Sequence, residues 1–534
     1  GATVIDSSAG GVDGNGADGI LAYNAGTDLT ITTSWVRAAN TGIVADNNGS
    51  GALFIDSVGG NFSYVRGTAG DGIYANNSAN GTSLTMLVGG TYGADDGVEA
   101  FNFGSGALSI TGGNRDITGT AGDGIYAYNS ANGTSLTVTT NFVSATTGGN
   151  NGIDARNLGS GSITVDGAGN VTGTGNIGIY AYNSANGTDM YIRTFGGTAT
   201  GGNYGIYANN DGTGYLRIVN FGSAAGNNAD GIFASNSANG TNLSISSSGT
   251  VTGSTSAIDA RNYGTGSVGV SSGGVTTGTN ASAIYVYNSA SGTNLFVGTG
   301  TGAVTGGTYG IYADNNGTGG ITMTTGSGTV TGNGADGIHA NNSAAGTGLL
   351  SITANGSVVG LNGAGINADD YGTGGVFITT GAGAITGSTY GIVAANYGGG
   401  GLGVYSGAGA VTGQGSDGIF AYNDASGASL RVTTGTGTVT GATNGINADN
   451  NGTGFLEVTT GAGTVTGSGG FGIAAFNAAT GTNINITTSD VSGLGIAVFA
   501  VNYGTGATTI DTTAGTVTST LSTGIDAYMD NSGT

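Results

Sequence analysis

The stretch Asp123 to Thr139 reads Asp-Gly-Ile-Tyr-Ala-Tyr-Asn-Ser-Ala-Asn-Gly-Thr-Ser-Leu-Thr-Val-Thr, and its reading decides the fold. Ile125 and Ala127 fall on one side of an extended chain and Tyr126 and Tyr128 on the other, the period-2 pattern of a strand. Asn129 to Gly133 is turn chemistry, with Asn132-Gly133 expected to supply a left-handed corner. Leu136 and Val138 then share one face, and Thr137 and Thr139 take the opposite one.

Working outward, the same segment returns along the whole chain. A Gly-Ile anchor, occasionally Val for Ile, occurs twenty times between Ile20 and Ile525, a mean period of about 27 residues. Ala follows two residues on, with Val286 as an exception, and Asn two residues further. That Asn column includes Asn129, Asn157, Asn183, Asn210, Asn236 and Asn262, and Asp370 replaces it once. Each period reads as three short strands: Gly-Ile-x-Ala, a Leu-x-Val segment, and Gly-Thr-Val-Thr-Gly as at Gly249–Gly253, Gly328–Gly332 and Gly437–Gly441. Strands this short, separated by Gly/Asn corners and without helical periodicity, bury their apolar faces only by coiling and stacking. The sequence therefore predicts an all-β fold, a single long parallel β-solenoid of about twenty coils spanning 1–534 without clear caps. At about 4.8 Å per coil it would form a rod on the order of 95 Å long. Long corners (Tyr182 to Thr188) and short ones (Asn209 to Gly214) mostly alternate, with a slip near Ile366 and Ile392.

Composition narrows the function classes. The 534 residues include 117 Gly, no Pro and no Cys, with 7% charged and 37% apolar residues. Gly without Pro is not collagen, and this apolar content is too high for a disordered polar tract. A net charge of −22 argues against nucleic acid and anionic membrane surfaces as partners. No apolar run reaches the roughly 18 residues of a membrane span, and no signal-peptide pattern opens the chain. A soluble, mature or trimmed product without membrane insertion is the expectation. Ser532-Gly533-Thr534 followed by Gly1 to Gly10 copies Tyr503 to Gly515. Two expectations follow: a slice of a longer array, or copies stacked head to tail into a filament.

Little in the chain suggests catalysis. One His, His339, in the outward slot that elsewhere holds Tyr126 or Tyr180, reads as a lone surface residue, and thiol chemistry and His-rich metal sites are excluded. Glycine-rich turns without Lys or a following helix are not phosphate loops. Outward Asp154, Asp259, Asp369 and Asp526 read as scattered solvated charges rather than the paired acids of a glycosidase. No enzymatic activity and no cofactor are expected. Asp18, Asp336 and Asp417, as in Gly14-Asn15-Gly16-Ala17-Asp18-Gly19-Ile20, partly match a calcium nonapeptide, but each copy stands alone. Corner geometry is the simpler reading, with Ca²⁺ as the alternative. The inward Asn column reads as a structural amide ladder.

Outward aromatics form the more suggestive pattern. Tyr74, Tyr126, Tyr180, Tyr207, Tyr285 and Tyr312 share one slot, and Tyr23, Tyr128, Tyr182, Tyr287 and Tyr422 form a second column. Such stripes either dock glycans or proteins or brace neighbouring coils. Thr-x-Thr at Thr250/Thr252, Thr438/Thr440 and Thr464/Thr466 would suit an ice-binding face, but Asp116, Asn170 and Ala410 break the rank. Asn-Gly-Thr triplets, as at Asn80 and Asn132, coincide with corners and would also accept glycans on a secreted protein.

The degenerate Gly/Asn/Thr/Ala coils, the Gly-Ile-Tyr-Ala-Tyr-Asn and Gly-Thr-Val-Thr-Gly signatures and the absence of Cys together resemble the passenger regions of bacterial autotransporter adhesins. The resemblance covers the whole chain and is compositional and architectural; no stretch of these 534 residues reads as the family's C-terminal outer-membrane barrel. It implies a right-handed β-helix at the bacterial cell surface or elsewhere outside the cell, acting in adhesion, aggregation or biofilm. The leading expectation is a non-enzymatic structural or adhesive protein whose partners are its own copies end to end, glycans, or host and neighbouring-cell surfaces. A glycan-binding or glycan-cleaving β-helix, marked by a cleft with convergent acids, is the alternative. An ice-binding solenoid, marked by an unbroken Thr face, is the second.

Overall fold

The computed structural model describes residues 1–59, 63–141 and 145–530. It divides into two compact units, Gly1–Gly266 and Ser267–Thr534. Each is a parallel β-solenoid carrying ten of the Ile-x-Ala strands, about twenty turns in all, and no helix occurs among the described residues. The all-β solenoid expected from the period is therefore the fold.

Within each unit a turn stacks on the next in strict register. Ile125–Asn129 pairs in parallel with Val98–Asn102 on one side and Ile153–Asn157 on the other, so that Ile125 lies opposite Val98 and Ile153. The second strand, Leu136–Thr139, pairs with Leu108–Gly112 and Ile163–Gly167. The third, Ile117–Gly119 in the preceding turn, pairs with Thr146–Gly148. Register is locked because a slip of one residue would turn every apolar side chain outward. Ile125, Ala127, Leu136 and Val138 are fully buried, as their alternation requires. Three separate strands per turn is the general pattern, but the first two turns fuse the second and third into single strands, Thr3–Gly14 and Leu29–Ala38.

One expectation about the corners is corrected. Gly133 is not left-handed; among the described residues only Gly196, Gly375 and Gly400 have positive φ. Glycine is required at Gly133 for space, since a Cβ there would lie 2.3 Å from the Asn129 side-chain oxygen. The corner closes directly over the buried amide and leaves no room for a side chain.

Candidate functional site

The inward Asn residues form a ladder in both units, unbroken from Asn129 to Asn262 in the first. Asn129 Nδ2 donates to Asn157 Oδ1 (2.8 Å), Asn157 to Asn183 (3.0 Å), Asn183 to Asn210 (3.0 Å), Asn210 to Asn236 (2.9 Å) and Asn236 to Asn262 (3.1 Å). The same Nδ2 groups also reach corner carbonyls, as Asn183 does to Thr188 (3.2 Å). Every rung is buried, so each amide has exchanged water for protein partners and is matched in kind by the turn above. The chemistry is structural.

Asp370 interrupts the ladder in the second unit. It accepts from Asn342 Nδ2 (2.8 Å), while its second oxygen accepts the Gly375 N–H (2.8 Å). A carboxylate cannot donate onward, and Asn396 Oδ1 is left without a partner. Burial accordingly pushes the Asp370 pKa up. Elsewhere the corner turns a carbonyl toward the amide; here it turns an N–H toward the carboxylate, and Gly375 takes φ +88° at that place. This is where the alternation of corners slips.

The outward tyrosines Tyr74, Tyr126, Tyr180, Tyr207, Tyr285 and Tyr312 are half-buried, because they stack along the sheet. In the first unit Tyr180 and Tyr207 are 5.4 Å apart at 12°, and Tyr207 and Phe233 4.8 Å apart at 18°. Tyr285, Tyr312 and His339 continue in the same manner in the second, at 5.5 and 5.0 Å. His339 is therefore not the lone surface residue expected. Its ring packs on Tyr312, and Nδ1 lies 2.9 Å from Asp336 Oδ2.

The acidic residues also differ from expectation. Asp154 and Asp259 are not solvated charges: both are buried, and each makes a two-point pair with the Arg two residues on, Arg156 and Arg261. The Arg156 guanidinium lies 5.5 and 5.2 Å from the Tyr126 and Tyr180 ring centres, a cation–π seat that covers the pair. Asp526 is exposed, as expected, and burial raises the Asp369 pKa. Of the calcium candidates, Asp18 Oδ1 accepts the Thr41 N–H (3.1 Å), Asp336 Oδ1 that of Ala364 (2.7 Å) and Asp417 Oδ1 that of Asn444 (3.0 Å). All three cap the backbone of the next turn at the same corner.

In one place that corner role accumulates charge. Asp71 accepts the Asp96 N–H (3.1 Å), Asp96 that of Asp123, and Asp123 that of Asn151 (2.8 Å). Glu99 joins them, and carboxylate oxygens of Asp71, Asp96 and Glu99 lie within 4.8 Å of one another. Burial, reinforced by neighbouring acids, pushes Asp96 and Glu99 up to about 7 and Asp123 up to about 6. A divalent cation would suit the three oxygens, though hydrogen bonding between turns already accounts for Asp71 and Asp96. The cluster becomes visible in the sequence only when successive turns are aligned on their Gly-Ile anchors. Two breaks in the Thr rank have a similar origin: Asp116 and Asn170 accept the N–H groups of Ala145 (2.7 Å) and Thr198 (3.0 Å) in the next turn.

No protein-family model, no curated protein and no solved structure matches the chain.

Proposed function

We propose that this chain is a non-enzymatic structural and adhesive protein of the extracellular space, a stalk or filament component on a bacterial surface or in a biofilm matrix. One observation carries the reading. The interior repeats Ile, Ala, Asn and Leu positions in most turns, whereas outward slots vary among Thr, Tyr, Arg, Ser and Asn. Such a division suits a scaffold that holds its form while its surface diversifies. Copies of the same chain are the first partners this reading implies, because parallel sheets of this kind accept further strands at an edge. Glycans and neighbouring-cell surfaces come second. The head-to-tail register expected from Ser532 to Thr534 involves 531–534, which lie outside the described residues.

The test is to display the chain on a non-adherent bacterium, score aggregation and attachment, and image the purified protein by electron microscopy. Cell–cell aggregation together with filaments is the expected result. A monodisperse monomer at high concentration that confers no attachment would overturn the reading.

A further inference from the structure

The outward face of the second unit carries one concavity built by a departure from the repeat. The position preceding the first inward residue of the second strand is Leu349 in one turn and Phe455 four turns further along, but Gly375, Gly401 and Ser429 in the three turns between. The missing side chains leave a trough of about 310 Å³, open to solvent and floored by Gly374, Gly401 and Gly403. Phe377 and Tyr405 flank it, their ring centres 4.8 Å apart and inclined at 37°. Gly403 makes room for the ring of Tyr405, since a Cβ there would lie 2.8 Å from it. Arg431 closes the far side, pairing with Glu457 at 3.0 Å and lying 5.5 Å from the Phe455 ring centre. Beside the trough, the inward Asp370 accepts the N–H of Gly375, which takes a positive φ.

We propose that this trough is a binding site for one pyranose unit of a neutral polysaccharide. Phe377 is 38% and Leu349 43% exposed, an apolar surface that water leaves readily. A purely apolar ligand, however, would strip water from Arg431 and Glu457 without replacing its hydrogen bonds. An anionic ligand would have to displace Glu457 from Arg431 and approach a chain of net charge −22. A neutral pyranose meets both demands. Its C–H face lies on the aromatic rings, and its hydroxyls bond the Arg431 guanidinium and the backbone left bare by the glycines. The volume is at the small end for ligand sites, sufficient for one ring, and the open side lets a polymer run through.

This site stands apart from the scaffold role proposed above, and either can fail alone. Titration calorimetry of the full chain with maltohexaose, cellohexaose and mannohexaose, and with polygalacturonate as an anionic probe, tests it. At least one neutral hexasaccharide is expected to bind with a Kd of about 0.1–1 mM. Phe377→Ala and Gly401→Leu should each weaken that binding by about tenfold or more, while Tyr207→Ala in the other unit leaves it unchanged. A Cβ at Gly401 meets only the Ser429 carbonyl oxygen, at 3.3 Å, so the leucine enters the trough with a small shift of that one neighbour. Unchanged circular dichroism of both variants verifies this. No binding by any neutral probe, binding of polygalacturonate alone, or affinity indifferent to both variants would each overturn the site, whatever the attachment assay shows.

Discussion

A carboxyl group lodged between two turns must give up water to ionise, and Asp96 is lodged in that way beside Asp71, Asp95, Glu99 and Asp123. Burial dominates, and the neighbouring acids add to it; Arg156 is the nearby cation, and it acts on Asp123. The folded chain therefore holds these protons more firmly than the unfolded chain, whose carboxyls titrate near about 4. Their contribution to stability is full below that value and is lost as pH rises through about 6 to 7, by proton linkage. Asp96→Asn separates charge from hydrogen bonding, since the amide oxygen can still accept the Asp123 N–H. Thermal melts followed by circular dichroism should show the variant more stable by about 2–4 °C at pH 8 and equal to the parent at pH 4. A gain of the same size at both pH values would place the effect in packing instead.

At the scale of the strand, one residue separates an interior position from an outward one, and the consequences diverge. Ile232 is fully buried and stacks in register with Ile206. Ile232→Asp would place an unpaired charge there and should cost at least about 4 kcal/mol. Tyr207, one turn back and outward, is half-buried between Tyr180 and Phe233; Tyr207→Asp removes two stacking contacts and should cost about 1–2 kcal/mol. Urea melts of the two variants check the contrast, and equal losses would reject the assignment of faces. Such faces were legible in the sequence because alternation and period are local properties of the chain. The Asn column was legible for the same reason. What escaped were contacts between residues 25 to 28 positions apart on outward faces, such as Arg193 on Asp166, or the trough. Those depend on which side chains two turns happen to set side by side. Gly133 departs from the left-handed corner its sequence suggests for a related reason: its constraint is the Asn129 amide beneath it, not its own backbone angles.

For the whole molecule, charge is the collective property left to consider. Thirty acidic residues face eight arginines, giving −22 at pH 7. Four of those arginines are already committed to partners: Arg156 to Asp154, Arg193 to Asp166, Arg261 to Asp259 and Arg431 to Glu457. Most remaining carboxylates have no cation to offset them, and like charges on stacked turns repel at short range. Two salt effects then oppose each other. Screening weakens the ion pairs, which destabilises, and it weakens the repulsion, which stabilises. Repulsion should win, because acids outnumber bases and the two best pairs, on Asp154 and Asp259, are the most buried and so the least screened. Raising NaCl from about 10 mM to about 200 mM shortens the screening length from about 30 Å to below 10 Å, and at pH 8 it should raise Tm by several degrees. At pH 5 the gain should shrink, since Asp96, Glu99 and Asp123 then carry protons. A Tm that is flat or falls with salt at pH 8 would mean that the few ion pairs outweigh the excess of negative charge.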